Sequence, residues 1–265
     1  MNLTPSGTLD EESIMRIDIN CDLGEGFGPW TMGDDAAIMP LITSANIACG
    51  FHAGDPQIMR HTIELAAKHG VALGAHPGFQ DLAGFGRRPC PSVTAQELEN
   101  IVAYQIGAFA GLCAMAGHRM AHVKTHGALG NACAADDDLA DAIARAIRAV
   151  DETALWFTLP GTATDRAAQR HGLRAAREVY ADRSYGDDFN LAPRSQPGAV
   201  IHDADVAVER VMTMISEGCI RSINGLILES EIDSICVHGD SPQAVTMARS
   251  LRDGLLAKGV QTCAP

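Results

Sequence analysis

No uninterrupted apolar run in this 265-residue sequence approaches the ~20 residues that a membrane-spanning helix requires. No Cys-x-x-Cys pair is present. The eight cysteines, at 21, 49, 90, 113, 133, 219, 236 and 263, are scattered, which argues against a disulfide framework in a chain this long. The opening "MNLTPSGTLDEES" lacks the basic and apolar regions of a signal peptide, so a reduced, cytoplasmic protein is expected. Positive charge is scarce too. A net charge of -13, with lysine only at 68, 124 and 258, excludes sequence-independent nucleic-acid binding, which needs a basic footprint. Catalytic signatures are missing as well: there is no Gly-x-x-x-x-Gly-Lys-Ser/Thr loop, no Gly-x-Ser-x-Gly elbow and no His-Glu-x-x-His. "GEGFG" at 24–28 looks like a phosphate cradle but lacks the dinucleotide spacing.

What is present is a repeated grammar of short apolar strand, polar or glycine-rich turn, and helix. Strands are expected at 16–22, 43–51, 70–76, 120–126, 154–160, 174–182 and 232–239. Helices follow with recognisable punctuation. Asp55 is an N-cap with Pro56 in the first turn and Gly70 past the end, and Thr94 with Glu97 forms a capping box for a helix closing at Gly117. The alternation runs on without a linker, so 16–265 is expected to be one α/β domain and 1–15 a frayed extension. About seven parallel strands fit a closed β/α barrel better than an open sheet, a choice that pattern alone leaves open. In a barrel, functional side chains gather where strands end.

That rim is crowded here. In "AHVKTHGALGN" (121–131) strand alternation puts His122, Lys124 and His126 on one face, with Val123 and Thr125 on the other. Strand one supplies Asp18, Asn20 and Asp22 and runs into Glu25. Strand two supplies Asn46, His52 and Asp55, strand three His76, strand six Glu178, Asp182 and Arg183, and the last strand His238 and Asp240. For some of these the bland reading is the better one. Asp55 and Asp240 suit helix caps, His122 suits a satisfied core histidine, and His61, His69, His118 and His171 belong to helices. Asp18 is either a buried partner for a cation such as Lys124 or part of the site. Four histidines converging on one rim are harder to explain as core. Lys124 either binds an anionic oxygen or has a depressed pKa beside the histidines, with Asp18 or Asp22 offsetting its charge across the barrel. Asp and His together are suitable ligands for a divalent metal, although the spacing is not a local zinc signature. Asp with Lys or His also suits general acid and base catalysis of amide hydrolysis.

The segments "DINCDLGEGFGPW…GDD", "TSANIACGFHAGDP", "GAHPGFQDLAGFGRR", "HVKTHGALGN", "ADRSYGDD" and "ICVHGD" closely resemble the LamB/YcsF-like family, the A subunits of 5-oxoprolinase, from Arg16 to Gly259. The resemblance implies a distorted seven-stranded β/α barrel of the glycoside hydrolase and deacetylase type. It further implies ATP-dependent opening of 5-oxo-L-proline to L-glutamate together with partner subunits B and C, which would supply the ATP chemistry that this chain has no motif for. Its motifs fall on Asp18, Asn20, Asp22 and Glu25; on Asn46, His52 and Asp55; on His76, Arg87 and Arg88; on Lys124 and His126; on Asp182 and Arg183; and on His238 and Asp240. The catalytic set expected from this is Asp22, Glu25, His52, Lys124 and His126. The substrate-binding set is Asn20, Asn46, His76, Arg88, Asp182, Arg183, His238 and Asp240. A divalent metal, if bound, is expected on Asp22, His52, His76 and His126. The chain departs from the family pattern at Thr125 and Gly130, where proline and tyrosine are usual, and at Gly78-Phe79-Gln80 in place of Ser-Phe-Pro. Two competing expectations are a metal-dependent deacetylase or amidohydrolase acting alone on an N-acyl sugar or small amide, and a non-catalytic subunit that binds 5-oxoproline.

Overall fold

Arg16–Leu23 forms the first strand, β1, in which Ile17, Ile19, Cys21 and Leu23 alternate with Asp18, Asn20 and Asp22, and both sets are buried. A strand covered on both sides belongs at the centre of a layered α/β structure. A computed structural model describes residues 15–239 and 243–265. After β1 come a short helix α1 (Asp35–Ile38), β2 (Ser44–Ala48), α2 (Pro56–His69), β3 (Ala72–His76), α3 (Ala95–Met115), β4 (His122–Val123), α4 (Gly127–Ala135) and α5 (Asp137–Asp151). The second half runs β5 (Leu155–Thr158), α6 (Ala163–Arg170), β6 (Ala175–Tyr180), α7 (Ala204–Glu217), β7 (Cys219–Arg221), β8 (Ile227–Glu229), β9 (Ser234–His238), α8 (Ala244–Ala257) and β10 (Gln261–Thr262).

Strands pair in parallel in the order β1-β2-β3-β4-β5-β6-β9, and β9 returns to β1, closing a seven-stranded barrel. The register stacks the polar residues in layers: Asn20 faces Ser44 and Cys236 in the flanking strands, and Asp22 faces Asn46 and His238. Helices wrap the outside. The apolar set of β1 packs against them in one continuous core with Ile47, Ile63, Leu98, Phe109, Ile143 and Trp156.

The expected punctuation forms. Asp55 accepts from the backbone of Gln57 and Ile58, Gly70 ends α2 in the left-handed region at φ 69°, and Thr94 and Glu97 close a capping box on α3. Two expected strands change in detail, and two features are new. The strand expected over 120–126 is regular only at His122–Val123, although Lys124 N–H still donates to the Ala75 carbonyl and His126 N–H to that of Pro77. The strand expected over 43–51 ends at Ala48. The antiparallel β7–β8 hairpin and the β10 extension beside β1 carry no distinct sequence signal. Among the described residues, α3 alone is long and apolar enough to cross a membrane, a length no uninterrupted apolar run reveals. It lies on the barrel instead, with Leu98, Val102, Ile106, Phe109 and Cys113 buried. Residues 1–14, expected to fray, lie outside the described residues.

Candidate active site

Lys124 is the pivot of the barrel's interior. Its ammonium, 2% exposed, donates to Asp22 Oδ1 at 2.8 Å, Asn20 Oδ1 at 3.2 Å and Cys236 Sγ at 2.9 Å, and pairs with Glu178 Oε1 at 3.0 Å. Four acceptors compete for three N–H bonds. Burial favours loss of the proton, but Asp22, Cys236 and Glu178 outweigh it and hold the Lys124 pKa well above the usual lysine range. The direction runs against a depressed lysine. Asp18 is not its partner either: that carboxylate accepts from Thr43, Ser44 and Ser234, one layer deeper. Burial also opposes ionisation of Asp22, yet His76 and Lys124 prevail and keep its carboxyl well below the usual range.

Two backbone carbonyls decide how the histidines present themselves. His76 Nδ1 lies 2.8 Å from the Lys124 carbonyl and His126 Nε2 lies 2.8 Å from the Phe85 carbonyl. A carbonyl only accepts, so each of these nitrogens carries hydrogen. The remaining nitrogens, His76 Nε2 and His126 Nδ1, face each other at 3.1 Å. His52 stacks on His126 with ring centroids 3.8 Å apart, and Glu25 Oε1 lies 3.5 Å from His52 Nε2 and 3.6 Å from His126 Nδ1. Neither ring nitrogen of His52 finds a hydrogen bond among the described residues. Burial first, and neighbouring His126 and His76 next, depress the His52 pKa well below the ordinary value. Burial and His76 bring His126 down to about 3. One donor atom from each of Glu25, His52, His76 and His126 lies within 4.8 Å of every other, a buried set able to hold a metal ion. Glu25 completes this quartet in place of the expected Asp22, whose Oδ2 stands 3.3 Å from His76 Nε2.

Glycines make room for these rings. A Cβ on Gly74 would lie 1.9 Å from His122 Nε2, one on Gly78 2.6 Å from His52 Nδ1, and one on Gly86 2.7 Å from His52 Cβ and 2.8 Å from His126 Cδ2. His122 fits the bland reading: its Nε2 donates to Asn46 Oδ1 at 2.9 Å and its ring meets Phe157 edge-on.

Above this floor opens a cavity of about 270 Å³, lined by Asp22, Glu25, His76, Lys124, His126, Glu178, Tyr180 and His238, with Arg87, Arg183 and Arg194 around it. The structure thus brings Asp22, Glu25, His76, Lys124, His126, Arg183 and His238 to one space. Asn20 and Asn46 lie beneath it, bonded to one another and to Lys124 and Asp22 respectively. His52 sits behind His126. Asp182 backs His238, its Oδ2 2.8 Å from Nδ1, and lines a smaller adjoining cavity of about 160 Å³ that shares His238 and Arg194. Arg88 is not at the cavity: it is exposed and bonds Asp81, while Arg87 takes the lining position. Asp240 lies outside the described residues.

Glu178, which strand alternation places at the rim but outside the expected catalytic and binding sets, is a direct partner of Lys124. Tyr180, Cys236 and Arg194 complete the surroundings and were not foreseen. Glu178, Tyr180 and Asp182 alternate along and just past β6, so a strict period-two reading of that strand adds Tyr180. Arg194 lies in an irregular loop and carries no such signal.

The LamB/YcsF family model matches residues 17–265. A relative from Rhodopseudomonas palustris (strain BisB5), described as the A subunit of 5-oxoprolinase, is 54% identical over 245 residues, 92% of this chain and 96% of the relative. One of the same description from Bordetella parapertussis is 50% identical over 244 residues, again 92% of this chain and 96% of the relative. Among solved structures, a lactam utilization protein from Thermus thermophilus superposes with a TM-score of 0.89 at 41% identity, covering 95% of this chain and 100% of that one. The catalytic domain of a peptidoglycan N-acetylglucosamine deacetylase from Eubacterium rectale reaches a TM-score of 0.50 at 11% identity over 99% of this chain and 94% of its own, a likeness of fold alone. On the family match and these relatives together, the chain belongs to the LamB/YcsF family.

Proposed function

We propose that this chain is a hydrolase subunit that opens 5-oxo-L-proline to L-glutamate, with ATP and partner subunits B and C supplying the activation step. The observation that carries the reading is the buried Asp22–Lys124 ion pair, set beside His52 and His126, whose pKa values burial depresses, at the floor of a cavity ringed by arginines. Relatives half identical over nearly their whole length are named as the A subunit of 5-oxoprolinase, and a structural relative is named for lactam utilization. All eight cysteines are free, in keeping with a reducing, cytoplasmic setting.

A five-membered lactam is a stable amide and a poor electrophile. Phosphorylation of its amide oxygen by ATP would make the ring carbonyl carbon attackable by water. Water oxygen then bonds to that carbon, the C–N bond breaks as the ring nitrogen takes up a proton, and a second water cleaves the resulting acyl phosphate to release glutamate and inorganic phosphate. Lys124 is placed to stabilise the developing charge on oxygen, because it is buried, ionised and positioned before the substrate arrives. Asp22 and unprotonated His126 are the acceptors for the proton of water. His238, oriented by Asp182 through Nδ1, keeps Nε2 for proton delivery to the departing nitrogen. Arg183 and Arg87 suit the substrate carboxylate or the phosphorylated oxygen. Glu25, His52, His76 and His126 fit a divalent cation, which would supply Lewis-acid polarisation of an oxygen.

The test is glutamate release from 5-oxoproline by the purified chain, with and without ATP and with and without subunits B and C. Release only with both is expected. Release from the chain alone, or hydrolysis of N-acetyl sugars in its place, would overturn the reading in favour of an autonomous amidohydrolase. Asp22→Asn or His126→Ala variants with undiminished turnover in the full mixture would sink the residue assignment.

A further inference from the structure

Four side-chain nitrogen and oxygen atoms crowd one point inside this barrel. His76 Nε2 has His126 Nδ1 at 3.1 Å and Asp22 Oδ2 at 3.3 Å, and Glu25 Oε1 stands 3.6 Å from the same His126 nitrogen. The Lys124 and Phe85 carbonyls each accept the hydrogen on the far ring nitrogen, which turns His76 Nε2 and His126 Nδ1 toward each other and toward the two carboxylates. Such an arrangement requires a cation between them, either a proton or a metal ion.

We propose that the cation is a first-row transition metal ion such as Zn²⁺, held by His76 Nε2, His126 Nδ1, His52 Nε2 and Glu25 Oε1, with Asp22 beside the ligands and not among them. This inference deepens the functional reading above and rests on it only for what the ion does. Three imidazoles and one carboxylate are a donor set for Zn²⁺ or Co²⁺, whereas Mg²⁺ and Ca²⁺ take oxygen ligands. A tetrahedral centre with bonds of about 2.0–2.1 Å separates its ligand atoms by roughly 3.3 Å. The contacts at 3.1, 3.5 and 3.6 Å straddle that edge, and the remaining ligand pairs lie within 4.8 Å.

The surroundings of the ligands are built in the way metal histidines require. Each of the two carbonyls fixes a ring and its tautomer from behind, the usual support for a ligating imidazole. The Phe85 carbonyl comes from a non-glycine residue with positive φ, at 54°, a conformation that costs energy and is retained here where it orients His126. His52 is the most telling member. It is 1% exposed, both of its nitrogens lack hydrogen bonds among the described residues, and Gly78 and Gly86 leave it the room to lie flat on His126. A buried imidazole with no hydrogen bond is unfavourable unless a ligand takes its lone pair.

The experiment needs no turnover. The purified chain is stripped with a chelator and titrated with Zn²⁺ by calorimetry and with Co²⁺ by visible absorption, with Mg²⁺ as competitor. Stoichiometric Zn²⁺ binding, an intense tetrahedral Co²⁺ spectrum and no displacement by Mg²⁺ are expected. His52→Ala and Glu25→Gln should each weaken Zn²⁺ at least about 100-fold, the upper range for groups that merely support ligands. Asp22→Asn should keep the Co²⁺ spectrum while losing hydrolysis, and circular dichroism checks that every variant folds. A chain that takes up neither ion, with His76 shown by nitrogen NMR to be doubly protonated, would overturn the inference in favour of a proton. A ligand set that includes Asp22, seen as loss of the Co²⁺ spectrum in Asp22→Asn, would overturn the assignment of ligands. Intact metal binding with no glutamate released in the presence of ATP and both partners would overturn the functional reading and leave the metal site standing.

Discussion

At position 124 a single ammonium separates two buried carboxylates, Asp22 and Glu178. Lysine is the residue that can do this from the end of β4, because its stem is long enough to cross the barrel while its head stays compact. Replacing Lys124 by methionine would fill the space and remove the charge. Breaking a buried pair from one side costs about 3–5 kcal/mol, because the partners are left without compensation. Lys124→Met is therefore expected to lose about that much stability at neutral pH in urea unfolding, along with turnover in the full ATP-and-partner assay. The sign of its pH dependence follows. In the variant, Asp22 loses the ammonium that holds its carboxyl below the usual range and faces a second carboxylate, so its folded pKa rises. Acid therefore lessens the penalty, and the stability gap to wild type should narrow between neutral pH and mildly acidic pH. A gap that stays constant or widens would mean that the lysine contributes packing alone.

At the scale of elements, glycines and histidines are matched across neighbouring strands and turns. Gly74 of β3 is opposite His122 of β4, and Gly78 and Gly86, in the turns after β3, abut His52 and His126. These glycines are there for space as much as for backbone freedom. Alanine at Gly74 would drive into His122, outside the metal quartet, and overpacking of this kind costs about 1–3 kcal/mol. Its expected signature is a lowered melting temperature with Zn²⁺ affinity close to wild type. Alanine at Gly78 pushes on His52 instead, and should weaken Zn²⁺ about 10–100-fold, the usual effect of disturbing a ligand's support. Equal effects of the two variants on affinity would refute the division between structural and ligating histidines. The same contrast shows what is legible in the sequence. Strand ends and helix caps are local patterns, so Asp22, His76, His126, the Asp55 cap and the Thr94–Glu97 box can be read directly. Glu25 sits past β1 in a turn where period two no longer applies, and its place beside His52 depends on how two loops fold together. Asp22 is the natural choice for a ligand because it shares a strand with the site, yet Lys124 and Asn46 take its Oδ1. Lys124 has visible company on its own strand, but its partner Glu178 comes from β6, across the barrel, and no local pattern joins the two. The α4 helix hides because "GALGNACAA" has almost no polar face to reveal a period.

At the scale of the whole molecule, the barrel exists only if its first strand meets its last core strand, and Asp18 is bound into that seam. Its carboxylate accepts from Thr43 at 2.5 Å and Ser44 at 2.7 Å on the β2 side, and from Ser234 on β9. Burial is the largest influence on this group and raises its pKa to about 6, against the opposing effect of the three hydroxyls. A carboxyl whose pKa is higher in the folded state than in the unfolded chain favours folding most when protonated. Its contribution is fully present below about pH 3.9, the unfolded value, and is lost as pH rises through about 6. The difference of about two units corresponds to about 3 kcal/mol, and so deep in the barrel little of it is screened by solvent. Asp18→Asn keeps a polar side chain of the same shape and removes the titration. Urea midpoints of both proteins at pH 4 and pH 7 isolate the effect, since every other titrating group is common to the two. Wild type is expected to lose about 2 kcal/mol relative to Asp18→Asn across that interval, with the variant the more stable relative to wild type at the higher pH. Parallel pH profiles would show that the seam holds Asp18 with an ordinary pKa, its hydroxyl partners then compensating fully for burial. A relative shift of the predicted sign would show that closure of the barrel is stabilised by a neutral acid at mildly acidic pH, and that at neutral pH the fold carries a buried charge at the junction of β1, β2 and β9.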